Sequence, residues 1–165
     1  MTLPPITFDR LAGDDDLAAV SALEAASFTN PWTREMLAKE LAPPTAARVY
    51  VLRMPGVRVA AFCSCWVFAD ELHINTIAVR ADLRRQGLGR VLMQSVLADV
   101  SRDGVTRATL EVRRSNEAAL ALYRGLGFVV SAVRPRYYTQ PEEDALILWR
   151  EAAGADDSPG PGDRP

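Results

Sequence analysis

The tightest constraint on the fold lies between residues 77 and 100. The apolar run Ile77-Ala78-Val79 leads into Arg84-Arg85-Gln86-Gly87-Leu88-Gly89, and an amphipathic segment follows from Arg90 to Val100. A strand that enters a glycine-bearing turn, with a helix opening from the turn, marks an α/β unit. The first amides of a helix point outward without partners and carry the positive end of its dipole. Gly87 and Gly89 have no side chain, so a bulky anion can approach that backbone closely. The turn is therefore a candidate site for a phosphorylated ligand. A plain helix start containing two glycines fits the same residues, and the turn alone does not separate the two readings.

The remaining sequence bounds the classes of function. A chain of 165 residues with 48% apolar content suits one domain with a sizeable core. The net charge of -2 gives no basic excess to suggest a nucleic-acid partner. No apolar run is long enough for a membrane span, and residues 1–20 lack the pattern of a secretory signal. We therefore expect a cytoplasmic protein. Cys63 and Cys65 stand at i and i+2 of a strand-like run and point the same way, so free buried thiols are expected rather than a bridge. With two cysteines and one histidine, a metal centre is not expected.

Periodicity lays out the elements. Ile6–Phe8 reads as a first strand. Asp14-Asp15-Asp16 supplies a cap for a helix over Leu17–Ser27, and Thr33 caps a second helix through Leu41. Val49–Met54 and Val57–Phe68 flank a Pro55-Gly56 turn as a hairpin, and Leu72–Val79 is the next strand. The helix after Gly89 turns Val91, Leu92, Val96 and Val100 inward and closes at Asp103-Gly104. Ala108–Val112 is a strand. Ser115 caps a helix with the inner stripe Ala119, Leu122, Tyr123 and Leu126, ended by Gly127. Phe128–Val133 and Ala145–Trp149 complete the strands. The result is a mixed α/β domain, one sheet flanked by helices. The domain is expected over 1–150, and 151–165, rich in Gly, Pro, Asp and Ala, as a disordered tail.

Residues 73–128 resemble the GNAT superfamily of acetyl-CoA-dependent N-acetyltransferases. The resemblance rests on Ile77-Ala78-Val79, Arg84-x-x-Gly87-x-Gly89, Leu110-Glu111-Val112-Arg113-x-Ser115-Asn116-x-x-Ala119-x-x-Leu122-Tyr123 and Gly127-Phe128, in that order and spacing. Within the superfamily the chain is most similar to the ribosomal-protein-alanine N-acetyltransferases, the RimI group. Phe28–Trp32 is similar to that group's F-P-W segment, and Arg136-Tyr137-Tyr138 with Glu143-Asp144-Ala145 to its N-Y-Y…E-D-A segment. The resemblance covers roughly residues 5 to 150.

It implies a GNAT fold, an α/β domain with one mixed, mostly antiparallel sheet of about six to seven strands flanked by about four helices, and a set of site residues. The turn Arg85, Gln86, Gly87, Leu88, Gly89 and Arg90 holds the coenzyme pyrophosphate through backbone amides. Ile77, Ala78 and Val79 supply the strand along which the pantetheine arm pairs. Arg84, Arg85 and Arg90 either add charge near the phosphates or form a solvated basic turn. Asn116 contacts the coenzyme arm, caps its helix, or does both. Glu111 falls on the RimI group's general base; from the strand alone it reads as a solvated polar face. Tyr123 falls on the proton donor to the leaving thiolate; from the helix alone it reads as a core aromatic. His73 is the second candidate base, or a structural strand histidine. Phe28, Trp32, Tyr137 and Tyr138 either frame the acceptor groove or pack loops down.

The implied reaction is direct attack of a neutral amine on the thioester through a tetrahedral intermediate, with no covalent enzyme intermediate and no metal. The implied acceptor is the α-amino group of a protein, an alanine-starting small-subunit ribosomal protein in the RimI group. An α-amino group has a pKa of ~7.7–8.0 and lysine ~10.4, so a protein N-terminus offers far more free amine near neutrality. Burial could raise the Glu111 pKa toward that of a usable base, a water could relay the proton, or Glu111 could take the proton after attack. The alternatives are a broader N-terminal or lysine acetyltransferase, a small-amine acetyltransferase, or an acetyl-CoA-binding module without catalysis. Oligomeric state is not readable from these residues.

Overall fold

A computed structural model describes residues 4–152. Seven strands form one sheet: β1 (Thr7–Arg10), β2 (Ala47–Met54), β3 (Val57–Phe68), β4 (Glu71–Val79), β5 (Arg107–Arg113), β6 (Val129–Tyr138) and β7 (Glu143–Glu151). Their order across the sheet is β1-β2-β3-β4-β5-β7-β6. Every neighbouring pair is antiparallel except β4 and β5. Four helices, α1 (Gly13–Ser27), α2 (Arg34–Leu41), α3 (Leu88–Arg102) and α4 (Glu117–Gly125), flank the sheet. This is the mixed architecture that the sequence predicts.

Strand alternation builds two cores. Tyr50, Leu52, Ala61, Cys63 and Cys65 join Leu92, Met93 and Val96 of α3 and Leu120 and Tyr123 of α4. Val49, Val51 and Phe62 join Leu17, Val20 and Leu23 of α1 and Leu37 of α2. The second core takes no residue from β5, β6 or β7. Cys63 and Cys65 are free and buried, as expected.

The seam between β4 and β5 positions the site. Parallel pairing runs only from Glu71↔Arg107 to Ile74↔Leu110. Against β3, Ile74 pairs with Cys65 and Thr76 with Ser64, which leaves Asn75 as an extra residue, a β-bulge. Beyond it β4 stays on β3 as far as Val79, and β5 stays on β7 as far as Arg113. The two strands part, and the middle of the sheet opens.

Several local expectations change. No side chain caps α1 from outside; its N-cap is Ala12. Asp16 instead sits inside the first turn, accepts the Ala12 N–H at 2.8 Å and receives Arg53 at 2.6 and 2.7 Å. Thr33 caps α2 as expected, accepting the Met36 N–H at 3.2 Å. β6 runs past Val133 to Tyr138, because an edge strand tolerates Pro135 where its register is already irregular. Glu151, expected in the tail, belongs to β7 and bonds Arg107 at 3.1 Å. The rest of the expected tail from residue 153 lies outside the described residues.

Candidate active site

The parted strands bound a cleft of about 400 Å³. Thr76 and Ile77 enter from β4, Glu111 and Arg113 from β5, Asn116 and Tyr123 from α4, and Phe28 and Trp32 from the loop between α1 and α2. Tyr138 comes from the end of β6. Residues far apart in the chain, from Glu24 to Tyr138, meet because the sheet opens there.

One flank of the cleft is rich in unpaired backbone. The Arg80 N–H bonds the Ala60 carbonyl on the β3 side, at 2.9 Å. Alternation then turns the backbone groups of Ile77 and Val79 toward the opening. The Ala78 side chain packs into the α1–α2 core. Further on, Arg85 and Gly87 adopt positive φ (64° and 80°), and Gly87 is the N-cap of α3. The first helical bond at this end is Val91 N–H to the Gly87 carbonyl, at 3.1 Å. Among the described residues, the amides of 85–90 find no acceptor. Six free donors at a helix start form an anion cradle. A phosphorylated ligand fits this donor set and the open strand edge.

The basic residues around the cradle differ in freedom. Arg84 donates from Nε to the Val79 carbonyl at 3.1 Å and so folds back on the strand end. Arg85 and Arg90 make no ion pair among the described residues and stay free to meet an anion. The Leu88 side chain is buried in the core, so only its backbone faces the cradle.

At the centre, His73 donates from Nε2 to Glu111 Oε2 at 2.8 Å. The edge of the Trp66 ring system meets the His73 ring, with centroids 5.6 Å apart. The His73 hydrogen bond holds the Glu111 carboxyl below its ordinary value and outweighs the opposing effect of burial. The expectation that burial could make Glu111 a stronger base is therefore overturned. Tyr123 is 4% exposed and meets Phe128 edge-on at 5.6 Å. Burial pushes its phenol well up, so it remains a proton donor at neutral pH. Tyr138 is half-buried beneath the Arg113 guanidinium, 4.4 Å away, and burial raises it to about 12.

Two expectations at α4 are revised. Asn116, not Ser115, is the N-cap, with Oδ1 accepting the Ala119 N–H at 3.1 Å. Asn116 also lines the cleft, and its amide nitrogen has no acceptor among the described residues. Ser115 instead donates its N–H and hydroxyl to the Glu143 carboxylate, at 2.6 and 2.9 Å, which ties α4 to β7. Tyr137 does not line the cleft; it lies half-exposed against Tyr138, at 5.1 Å.

Residues that sequence reasoning missed are Glu24, Asn75 and Thr76, all on the cleft wall. Glu24 is a carboxylate only 4% exposed, and burial pushes its pKa up. Its position four residues after Val20, on the apolar side of α1, was the available signal. No group of three or more metal-binding side chains gathers among the described residues. No helix there is long and apolar enough to cross a membrane.

Comparison with known proteins gives a consistent answer. Residues 17–128 match the model of the Acetyltransferase (GNAT) family. The [ribosomal protein bS18]-alanine N-acetyltransferase of Escherichia coli K12 is 37% identical over 135 residues, spanning 81% of this chain and 89% of that one. The N-alpha-acetyltransferase RimI of Mycobacterium tuberculosis is 33% identical over 154 residues, spanning 90% and 94%. The crystal structure of the ribosomal-protein-S18-alanine N-acetyltransferase from Escherichia coli superposes with a TM-score of 0.82. It is 34% identical, covering 94% of this chain and 99% of that one.

Proposed function

The chain belongs to the GNAT family of acetyl-CoA-dependent N-acetyltransferases, and on that premise we propose that it acetylates a protein N-terminus beginning with alanine, on a small-subunit ribosomal protein in the cytoplasm. The observation that carries this reading is the single cleft lined by both Glu111 and Tyr123, together with the six free amides in the turn between β4 and α3. Similarity to the bS18-alanine enzymes supports the choice of acceptor.

Amides 85–90 hold the coenzyme's pyrophosphate, and the outward groups of Ile77 and the Val79 N–H pair with the amides of its arm. The free amide donor of Asn116 steadies the same arm. Bound acetyl-CoA supplies an activated acetyl thioester. Phe28, Trp32 and Tyr138 frame the incoming peptide and exclude water. The amine arrives largely as ammonium and reacts as the neutral fraction, which is appreciable at its pKa of ~7.7–8.0. After attack the nitrogen is far more acidic, and the His73–Glu111 pair accepts its proton. The lowered Glu111 pKa suits this late step better than stripping a free ammonium. Tyr123 donates a hydrogen bond that strengthens as charge grows on the leaving sulfur, and then its proton. The amide bond forms, the thioester bond breaks, and free thiol and acetylated amine leave.

The test is mass spectrometry after incubation with acetyl-CoA and an equimolar panel. The panel holds an alanine-starting ribosomal-protein peptide, its Ser- and Met-starting variants, and an N-blocked peptide with one lysine. One acetyl group on the alanine-starting peptide alone is the expected result. Acetylation of the blocked lysine peptide in its place rejects the reading.

A further inference from the structure

Beside the cleft, under α2, lies a second and more enclosed cavity of about 230 Å³. It has room for several waters, or for one long side chain. The two spaces share Glu24, Trp32, Asn75 and Thr76, so the cavity opens off the cleft rather than standing apart from it. Leu37, Leu41, Val49 and Trp66 give it apolar walls.

Its charge is unbalanced. Glu24 accepts one bond, from the Trp32 N–H at 3.3 Å, through Oε1. Among the described residues its Oε2 has no partner, although the residue is 4% exposed and lines both spaces. Burial penalises the charged form of Glu24, and a cation placed beside it would restore that form. The other charged groups at the walls do not supply one. Glu40 is itself an acid and accepts the Trp66 Nε1–H at 2.6 Å. The Arg48 guanidinium is committed to Tyr50 Oη at 3.1 Å and to Asp103 at 2.8 Å.

The geometry points to this cavity as an acceptor subsite for a basic side chain, arginine or lysine, within the first residues after the acetylated end, with Glu24 as its counter-charge. The inference rests on the N-terminal acetyltransferase reading. An aliphatic stem fits Leu37, Leu41 and Val49, the cationic tip meets the free oxygen of Glu24, and the Trp32 and Trp66 rings favour a cation beside them. Successive residues of an extended peptide alternate sides at about 3.3 Å per residue, so only one early position can reach the cavity.

The experiment is an arginine scan. Alanine-starting peptides carry a single arginine at position two, three or four, with leucine and glutamate controls at each, and kcat/KM is measured for wild type and Glu24→Gln. One position is expected to prefer arginine over leucine by about tenfold or more, as a hydrogen bond to a charged group allows, and glutamate is the poorest there. Glu24→Gln should collapse that preference at the same position. Acetylation of every peptide with no preferred arginine position overturns the inference and leaves the N-terminal reading standing. An equal loss on all peptides in Glu24→Gln overturns it as well. Failure to acetylate any peptide removes both. If Glu24→Gln does not fold, judged by thermal melting, the wild-type scan decides alone.

Discussion

The two halves of the sheet are held together in different ways. From β1 to β4 the ladder is antiparallel and both faces are covered, by α1 and α2 on one side and α3 on the other. From β5 to β6 the ladder is again antiparallel, but the face that carries Thr109, Glu111, Ile147 and Trp149 is an open groove. The halves join through four parallel residue pairs and then separate at the Asn75 bulge. Stability therefore belongs mainly to the first half, and chemistry to the seam where pairing stops. A strand whose partner leaves it keeps a row of unused donors and acceptors, and these are what an amide-rich ligand needs.

The sharpest way to break this division is to damage the seam without damaging the core. Tyr123→Phe removes only a hydroxyl, and kcat should fall by roughly 10²-fold or more, in line with a lost general acid. Coenzyme affinity, measured by titration calorimetry, should change little. Glu111→Gln keeps the shape and loses the charge next to His73, and kcat should fall by at least ~10-fold. In wild type, kcat/KM for an alanine-starting peptide should rise with pH through about 8, as the acceptor ammonium deprotonates. No break should occur between pH 5 and 7 from Glu111, whose carboxyl is held below its ordinary value. A stopped rise at pH 6 would indicate a different base.

The opposite experiment damages the covered half and spares the seam. Asp16 is 1% exposed and bonded by Arg53, Arg58 and the Ala12 amide. Asp16→Asn should cost roughly 3 kcal/mol in denaturant unfolding, because a neutral amide replaces the buried carboxylate that Arg53 and Arg58 share, leaving Arg53 only Asp9. Arg53 holds the Asp16 carboxyl well below the usual range. That contribution is complete above the unfolded-state pKa of ~3.9 and fades as pH falls toward the folded value. The variant should therefore lose the steep acid limb of the wild-type stability curve, while KM for acetyl-CoA stays put. The smallest effect is expected at Thr33→Ala, about 1 kcal/mol from the lost α2 cap, read as a lower melting temperature.

The covered half was largely legible in the sequence. Alternation in Val57–Phe68 and the apolar stripe of Leu92, Val96 and Val100 need only local periodicity, and both elements stand where it puts them. The glycine turn was legible for the same reason. The seam was less so. The bulge had a trace, since apolar residues run Leu72, Ile74, then Ile77, Val79, a shift of one in the phase of the strand. A phase shift does not say which neighbour the strand leaves. The His73–Glu111 pair depends on a β4–β5 register fixed by packing between distant segments, so it was seen as two rival bases rather than one pair. Asp16 and Ser115 read as caps because both types cap helices by default. Arg53 of β2 also claims Asp16, which still accepts the Ala12 N–H, and Glu143 at the start of β7 claims Ser115.

The measurement that bears most directly on the seam is backbone amide NMR of the protein with and without coenzyme A. The account predicts shifted, exchange-protected amides at Ile77, Val79 and residues 85–90, with little change in β1 and β2. Coenzyme binding that leaves those amides unchanged, or that protects the open face of β5 to β7 in their place, would contradict it.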